Sequence, residues 1–196
     1  METLSAMKLS KDTINILKNF ASINSNILVK PGNVIKTISP VKNVMSQATV
    51  SETFDVEFGI WDLNKFLGTI SLFENPEFFF EEKFVTIRSQ KNNSSVKYYY
   101  SEPSLLTTVN KKINMPEAVV TCSIIQKVFN DIIKAASVLQ VGDIAIRSTL
   151  AGELEIVALD KKDPTSNSYS ITIGENVPLG SDFSFYFKAE HLKMLP

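Results

Sequence analysis

One pattern occurs twice in this chain of 196 residues, and it restricts the fold more than any other feature of the sequence. Residues 54–67 (FDVEFGIWDLNKFL) and 183–196 (FSFYFKAEHLKMLP) each alternate apolar and other residues over five positions, and then change to a spacing of three and four. The first spacing is typical of a half-buried strand and the second of a helix. The two segments lie at a constant offset of 129 residues, which predicts a duplicated unit.

A second pair of matching segments lies upstream of each copy. Residues 15–18 (NILK) match 131–134 (DIIK), and residues 26–30 (NILVK) match 143–147 (DIAIR). The order of the matches predicts that each copy contains a helix, β-hairpins, a strand and a second helix. The predicted fold class is therefore α+β, with two similar domains that each have an antiparallel sheet and two helices on one face.

The predicted domains are residues 1–101 and 118–196. The stretch 102–117 contains two prolines and shows no clear periodicity, so it is interpreted as an inter-domain connector. The first domain continues after its second helix through three predicted strands, whereas the second domain ends directly after the matching helix. We therefore expect the second domain to lack its last strands.

The elements of the first copy are the better defined ones. Ser10 and Asp62 are expected to cap its two helices. Pro31-Gly32-Asn33 is expected to join two strands as a hairpin, and residues 54–60 are expected to form one strong strand. The four predicted helices cover residues 10–23, 62–72, 123–139 and a short stretch from 189.

Lysines on the polar faces of these helices are the main candidate functional residues. Lys11 and Lys18 are seven residues apart, and Lys127 and Lys134 repeat that spacing in the second copy. A spacing of seven brings two side chains to the same side of an α-helix. The shorter helices and the residue before the last one add Lys65, Lys188 and Lys193.

This pattern of lysines predicts weak contact with a polyanion. The lysines are interspersed with Asn, Ser and Asp, and the net charge of the chain is −1 at pH 7. Contacts with phosphates are therefore expected to be sensitive to salt and independent of base sequence. An ordinary solvent-exposed face gives the same pattern on any single helix, so that alternative stays open.

The sequence offers little for catalysis or metal binding. His191 is the only histidine and Cys122 the only cysteine, and no phosphate-binding glycine motif is present. We therefore predict no catalytic residue, no cofactor and no metal ligand, and we do not expect an enzyme. No apolar run approaches the roughly 20 residues that span a bilayer, and one cysteine fits a reducing compartment, so a cytoplasmic protein is predicted.

Short motifs in the first seventy or so residues also point to a family. They are KLSKDT at 8–13, LKNFA at 17–21, INS at 23–25 and DLNKFLG at 62–68, and a fainter Lys-Met-x-Pro pattern lies at 193–196. They closely resemble the sliding clamps of T-even-type bacteriophages, the processivity factors of the phage DNA polymerases.

The resemblance implies two DNA-clamp domains in each chain and a homotrimeric ring that encircles duplex DNA. It also implies a DNA polymerase and an ATP-driven clamp loader as partners, in the cytoplasm of an infected host cell. An edge near 96–100 is expected to meet an edge near 169–173 of a neighbouring subunit. The resemblance implies that the basic positions that line the hole in the family correspond to Lys11, Lys18, Lys65, Lys127 and Lys134, and to Lys188 and Lys193.

Two functions from other classes remain as alternatives. The first is a β-rich viral structural or assembly protein with no role on DNA, in which the lysines are ordinary solvent surface. The second is an enzyme on a two-domain α+β scaffold, for which the sequence offers no candidate general base.

Overall fold

A computed structural model describes residues 6–109, 116–175 and 181–192 of the chain. The chain divides into two compact units, Met1–Ile113 and Asn114–Pro196. Each unit combines helix with antiparallel strands, and each is described here by itself.

In its described residues, the first unit contains two α-helices and three small antiparallel sheets. Strand β1 pairs with β4, strand β2 pairs with β3, and β5, β6 and β7 follow one another in a third sheet. A single 3-10 turn, Pro103–Leu105, follows the last strand. The elements are α1 (Lys11–Ile23), β1 (Ile27–Val29), β2 (Gly32–Ile38), β3 (Met45–Phe54), β4 (Phe58–Ile60), α2 (Leu63–Ile70), β5 (Glu77–Phe80), β6 (Phe84–Arg88) and β7 (Ser95–Tyr99).

In the part of the second unit that the structure describes, one continuous sheet packs against one long helix. Its four strands follow the order β10-β9-β8-β11, and all neighbours are antiparallel. The elements are α3 (Gln126–Leu139), β8 (Asp143–Ser148), β9 (Leu154–Leu159), β10 (Tyr169–Gly174), β11 (Ser184–Lys188) and a 3-10 turn (Ala189–His191).

Phenylalanine rings pack against one another in the core of the first unit, beside Leu, Ile and Val side chains. Phe54 meets Phe58 edge to face, with ring centroids 5.4 Å apart, and Phe80 lies 4.9 Å from Phe58. Such pairs stabilise a core by about 0.5–1.5 kcal/mol beyond the burial of their area. Phe20 of α1 is buried in the same core, so the helix is fixed against the sheets.

The helix caps of the first unit are confirmed. The Ser10 hydroxyl accepts a hydrogen bond from the Thr13 amide at 3.1 Å, and an Asp62 carboxylate oxygen accepts one from the Lys65 amide at 2.9 Å. Each bond satisfies an amide that has no partner within its own helix.

Two predictions for the first unit are wrong. Residues 54–60 are not one strand, because β3 ends at Phe54, which pairs with Gly32, and β4 begins only at Phe58. Pro31-Gly32-Asn33 does not close a hairpin, because it joins β1 and β2, which belong to different sheets. Proline has no amide to donate to a ladder, and Gly32 adopts a φ of +115°, so the chain changes direction at this point.

Two helices of the second unit differ from their predictions. The long helix begins at Gln126 instead of Ser123, since Ile125 is still extended and its side chain makes no capping bond. The predicted last helix is a 3-10 turn of three residues, Ala189–His191, within the described part of the chain. Within that part, α3 is the only α-helix of the second unit.

The pairing of the repeated strands shifts by two residues between the units. Val29 pairs with Phe58 in the first unit, and the sequence match places Ile146 and Phe187 at the equivalent positions. In the second unit Ile146 pairs with Phe185 instead. A shift of two residues keeps every side chain on the same face of the sheet, so the alternation of the sequence does not detect it.

Candidate nucleic-acid interface

Helix α1 has one buried face and one face with exposed lysines. Thr13, Leu17 and Phe20 are buried, and Lys11 and Lys18 are exposed. With a rise of about 1.5 Å per residue, the two lysines are separated by roughly 10 Å along the helix axis. This arrangement lets both ammonium groups reach one extended anion.

A carboxylate anchors the N-terminus of α1 on strand β3. Glu52 accepts hydrogen bonds from the Ser10 amide and from the Thr13 hydroxyl. Burial by itself raises the pKa of Glu52, but the bonds from Thr13 and Ser10 outweigh it and leave the pKa below its ordinary value. The negative charge also lies at the positive end of the helix dipole. It therefore fixes the orientation of α1.

Helix α2 adds Lys65 to the first unit. Leu63, Phe66 and Ile70 are buried, while Lys65 is exposed on the opposite side. The Leu63 amide donates to the Ser25 carbonyl at 2.7 Å, just beyond the C-terminus of α1. Helices α1 and α2 are thus fixed to each other within the unit, each with its lysines exposed.

Helix α3 repeats the lysine pair of α1 with one change of charge. Lys127 and Lys134 are exposed, while Ile132 and Ala136 are buried. The Lys127 ammonium lies 3.0 Å from an Asp131 carboxylate oxygen, and this hydrogen bond raises the pKa of Lys127. The first copy has an asparagine at the position that matches Asp131. Each helix carries two lysines and one aspartate, Asp12 in α1 and Asp131 in α3, but among the described residues only Asp131 forms an ion pair with a lysine of its own helix.

Lys188 is engaged within the second unit. Its ammonium lies 2.6 Å from a carboxylate oxygen of Asp143, a residue whose side chain is nearly buried. The hydrogen bond from Lys188 lowers the pKa of Asp143 and raises the pKa of Lys188. Since Asp143 and Lys188 are also partners in the sheet, the ion pair joins the end of β11 to the start of β8.

The predicted positions thus differ in their surroundings. Lys193 lies outside the described residues. Among the residues that the structure describes, four of the predicted lysines form no ion pair with a carboxylate: Lys11, Lys18, Lys65 and Lys134.

Sequence reasoning missed two carboxylates that control these lysines. Asp131 follows Lys127 by four residues, a spacing that brings charges together on a helix, so a local signal existed. Asp143 lies 45 residues before Lys188, and no local pattern connects them. Only the pairing of β8 with β11 brings this second pair together.

Two other kinds of feature are absent from the described residues. In the described ranges, no group of three His, Cys, Asp or Glu side chains is placed to hold a metal ion. Across those ranges, none of the helices combines the length and the apolar character needed to cross a membrane.

Comparison with known sequences gives consistent matches over most of the chain. Residues 10–115 match the model of the family described as DNA polymerase processivity factor. The sliding clamp of Vibrio phage KVP40 is 30% identical over 194 residues, which cover 96% of this chain and 86% of that protein. The sliding clamp of Enterobacteria phage T4 is 31% identical over 193 residues, which cover 97% of this chain and 84% of that protein.

Comparison with solved structures gives the same fold. PCNA from A. fulgidus, solved with the C-terminal region of FEN-1 bound, matches with a TM-score of 0.61. The match covers 92% of this chain and 77% of that one, at 16% sequence identity. Identity this low shows a shared fold and nothing further, and the predicted α+β fold class is confirmed.

Proposed function

The chain belongs to the DNA polymerase processivity factor family, and from this premise we propose that three copies form a ring that encircles duplex DNA and tethers a DNA polymerase to its template. In this role it is a sliding clamp and has no enzymatic activity of its own. The alternative of a viral structural protein with no role on DNA has no support among the relatives, which are sliding clamps.

One observation supports the DNA-facing surface most strongly. Helices α1 and α3 are matching elements of the two copies, and each exposes two lysines seven residues apart while it buries its opposite face. Exposed lysines on one helix are ordinary, but the same pair at the same place in both copies is evidence for a shared role. We propose that these lysines contact DNA phosphates, and that the other contacts come from Lys65, Lys188 and Lys193.

The expected contacts are weak, and a ring needs them to be weak. A closed ring stays on DNA because of its topology, so its retention does not depend on the strength of each contact. Contacts with phosphates carry no information about base sequence and exchange easily along the duplex. Lys188 should contribute least among the described lysines, because Asp143 already neutralises much of its charge.

The partners follow from the same proposal. The domains are residues 1–101 and 118–196, joined by the connector 102–117, of which residues 110–115 lie outside the described ranges. Among the described residues, β7 and β10 are edge strands of their sheets, so one side of each has no strand partner and can pair with another chain. We propose that β7 of one subunit pairs with β10 of the next, that an ATP-driven clamp loader opens this joint, and that the ring works in the cytoplasm of the infected cell.

The test reverses the charge of one lysine in each unit. In the double variant Lys18→Glu with Lys134→Glu, a cognate polymerase and clamp loader should lose processive synthesis on primed circular DNA. The slope of log affinity against log salt concentration should also become shallower by about 0.9 for each phosphate contact removed. A matched control reverses Lys36 on β2 and Lys162 in a turn, both of which are exposed and lie outside the helices.

The mass in solution separates failure of assembly from failure on DNA. The unsubstituted chain and both double variants should sediment as trimers. If the charge-reversed trimer supports synthesis as well as the control, the lysines of α1 and α3 do not contact DNA. If the unsubstituted chain is a monomer at all concentrations, the ring itself is wrong for this chain.

A further inference from the structure

A short segment after β7 covers the free edge of β4. We call residues 101–107 the strap. Strand β4 pairs with β1 on one side, and on its other side the Ser101 amide donates to the Gly59 carbonyl at 2.9 Å. At the far end of the strap, the Thr107 amide donates to the side-chain oxygen of Asn26 at 3.0 Å. We propose that the strap is a releasable cover of the β4 edge, held by Gly59 at one end and by Asn26 at the other.

Gly59 allows the strap to lie close to β4. A β-carbon at this position would lie 2.5 Å from the Ser101 carbonyl oxygen and 2.6 Å from a methyl carbon of Leu106. Real β-carbons do not approach other atoms so closely, so any side chain here displaces the strap. Glycine is therefore required by the close approach of two backbone segments.

Asn26 is held in place for its role at the other end. Its amide donates to the side-chain oxygen of Asn24 at 3.0 Å, and the Asn24 side chain donates to the Ile38 carbonyl at 2.7 Å. Asn24 is itself buried. This chain of bonds connects the end of the strap to β2 through two asparagines.

The strap is attached weakly enough to open by itself. Leu106 is 8% exposed, but the adjacent Leu105 is 64% exposed, and residues 102–105 are all exposed. A cleft of about 450 Å³ is lined by Phe58 and Gly59 of β4 and by the first residues of the strap, Ser101, Glu102 and Pro103. By contrast, β6 pairs on both sides, and Val85 and Ile87 on it are fully buried.

Segments with few buried apolar groups open at lower free energy than the core of the same unit. An open strap would expose the unpaired carbonyl of Gly59 and the side chain of Leu106. An unpaired strand edge is a surface on which another extended segment can pair. In the closed state, residues 101–107 of this chain occupy that edge.

Hydrogen exchange of the full chain, followed by mass spectrometry, tests the strap as a unit. Each variant is measured at the end of the strap that is far from its substitution. In Gly59→Ala the Thr107 amide should exchange at least about tenfold faster, and in Asn26→Ala the Ser101 amide should do the same, while the amides of β6 keep their native rates. Gly68→Ala on α2, where a β-carbon meets nothing within 4 Å, and Asn33→Ala on β2 are the controls.

Two results would overturn the proposal. One is a native exchange rate at the far end of the strap in both variants, which would show that the two ends are not coupled. The other is that strap and β6 amides exchange together at every denaturant concentration, which would show that the strap opens only when the unit unfolds. If Gly59→Ala does not fold, Asn26→Ala decides the question, because it removes one acceptor and leaves the core unchanged.

Discussion

Strands β4 and β11 come from matching segments of the two copies, and their surroundings differ completely. Phe58 of β4 is 5% exposed and Gly59 and Ile60 are also buried, whereas every residue of β11 is exposed, with Phe187 at 41%. In the first unit, Phe80 of the third sheet and the strap pack over β4. Within the described residues of the second unit, no such layer covers β11. The same alternation therefore produces a strand in both places. Whether that strand is buried depends on whether other residues pack over it.

The N-termini of helices α1 and α3, which are matching elements of the two copies, also differ in their surroundings. Helix α1 begins after Ser10, whose hydroxyl caps the helix, and Glu52 on strand β3 holds the first turn. Helix α3 begins after Ile125, which offers no side-chain bond. The start of α1 is thus capped and anchored by side chains, whereas Ile125 supplies no side-chain cap at the start of α3.

The largest difference between the two copies is expected when the repeated phenylalanine, Phe58 or Phe187, is replaced. Phe58→Ala should lower the free energy of unfolding of the first unit by about 3–5 kcal/mol, because it removes a buried ring and leaves a cavity. Phe187→Ala at the matching position should change the second unit by less than about 1 kcal/mol, because the ring is already solvated. Hydrogen exchange of the β6 and β9 amides, measured at increasing urea concentrations, reports the stability of the first and second units separately. Equal losses in both variants would mean that β11 is covered in solution.

The next prediction concerns the anchor of α1. Glu52→Gln should destabilise the first unit by about 1–2 kcal/mol at neutral pH, because hydrogen bonds to a charged group become bonds to a neutral one. Since folding lowers the pKa of Glu52, its contribution is present above the ordinary glutamate pKa and is lost as the pH falls through the lowered pKa. The stability curves of the two proteins should therefore converge in acid. Glu74→Gln, on an exposed carboxylate paired with Lys91, is the control and should have little effect.

A third substitution makes the second copy more like the first. Ile125 occupies the N-cap position of α3 with φ −70° and ψ 146°, a conformation that suits a serine cap. Ile125→Ser should raise the stability of the second unit by about 0.5–1 kcal/mol, and Ser10→Ala should lower that of the first by about 1 kcal/mol. Thermal unfolding and exchange of the α1 and α3 amides measure both. A loss of stability in Ile125→Ser would show that the exposed isoleucine packs against something in solution.

The smallest expected effect concerns charge on the lysine faces. Asp131→Asn gives α3 the residue that α1 has at the matching position, Asn15, and frees the ammonium of Lys127. Affinity for duplex DNA should rise by about threefold at low salt, and the difference should disappear as salt screens the charges. Asn15→Asp should lower the affinity to a similar extent. Fluorescence anisotropy with a short duplex measures both, and no change in either would place these helix faces away from DNA.

Much of the fold could be predicted because it depends on local patterns. Ser10 and Asp62 cap their helices as predicted, and the three strands predicted after the second helix are present as β5, β6 and β7. The split between β3 and β4 could not be predicted, since residues 54–60 alternate without interruption and only the choice of pairing partner divides them. The start of α3 was predicted too early for a similar reason, because Ser123 is a good cap but the chain there is still extended.

The candidate site likewise has features that local sequence predicts and features that only the fold reveals. Periodicity alone placed Lys11, Lys18 and Lys134 on exposed helix faces, because helical geometry fixes which side chains share a face. It did not reveal that Asp143 engages Lys188, since that contact depends on the pairing of two strands.

The sequence by itself determined the duplication, the helix faces and the alternation of the strands, because each depends on residues within a few positions of one another. The tertiary structure decided which strands pair, which copy of the repeated strand is buried, and that Asp143 engages Lys188. These depend on groups that lie far apart in the chain and meet only after folding. Gly59 shows the difference most directly, because nothing near it in the sequence indicates that residues 101–107 will lie against it.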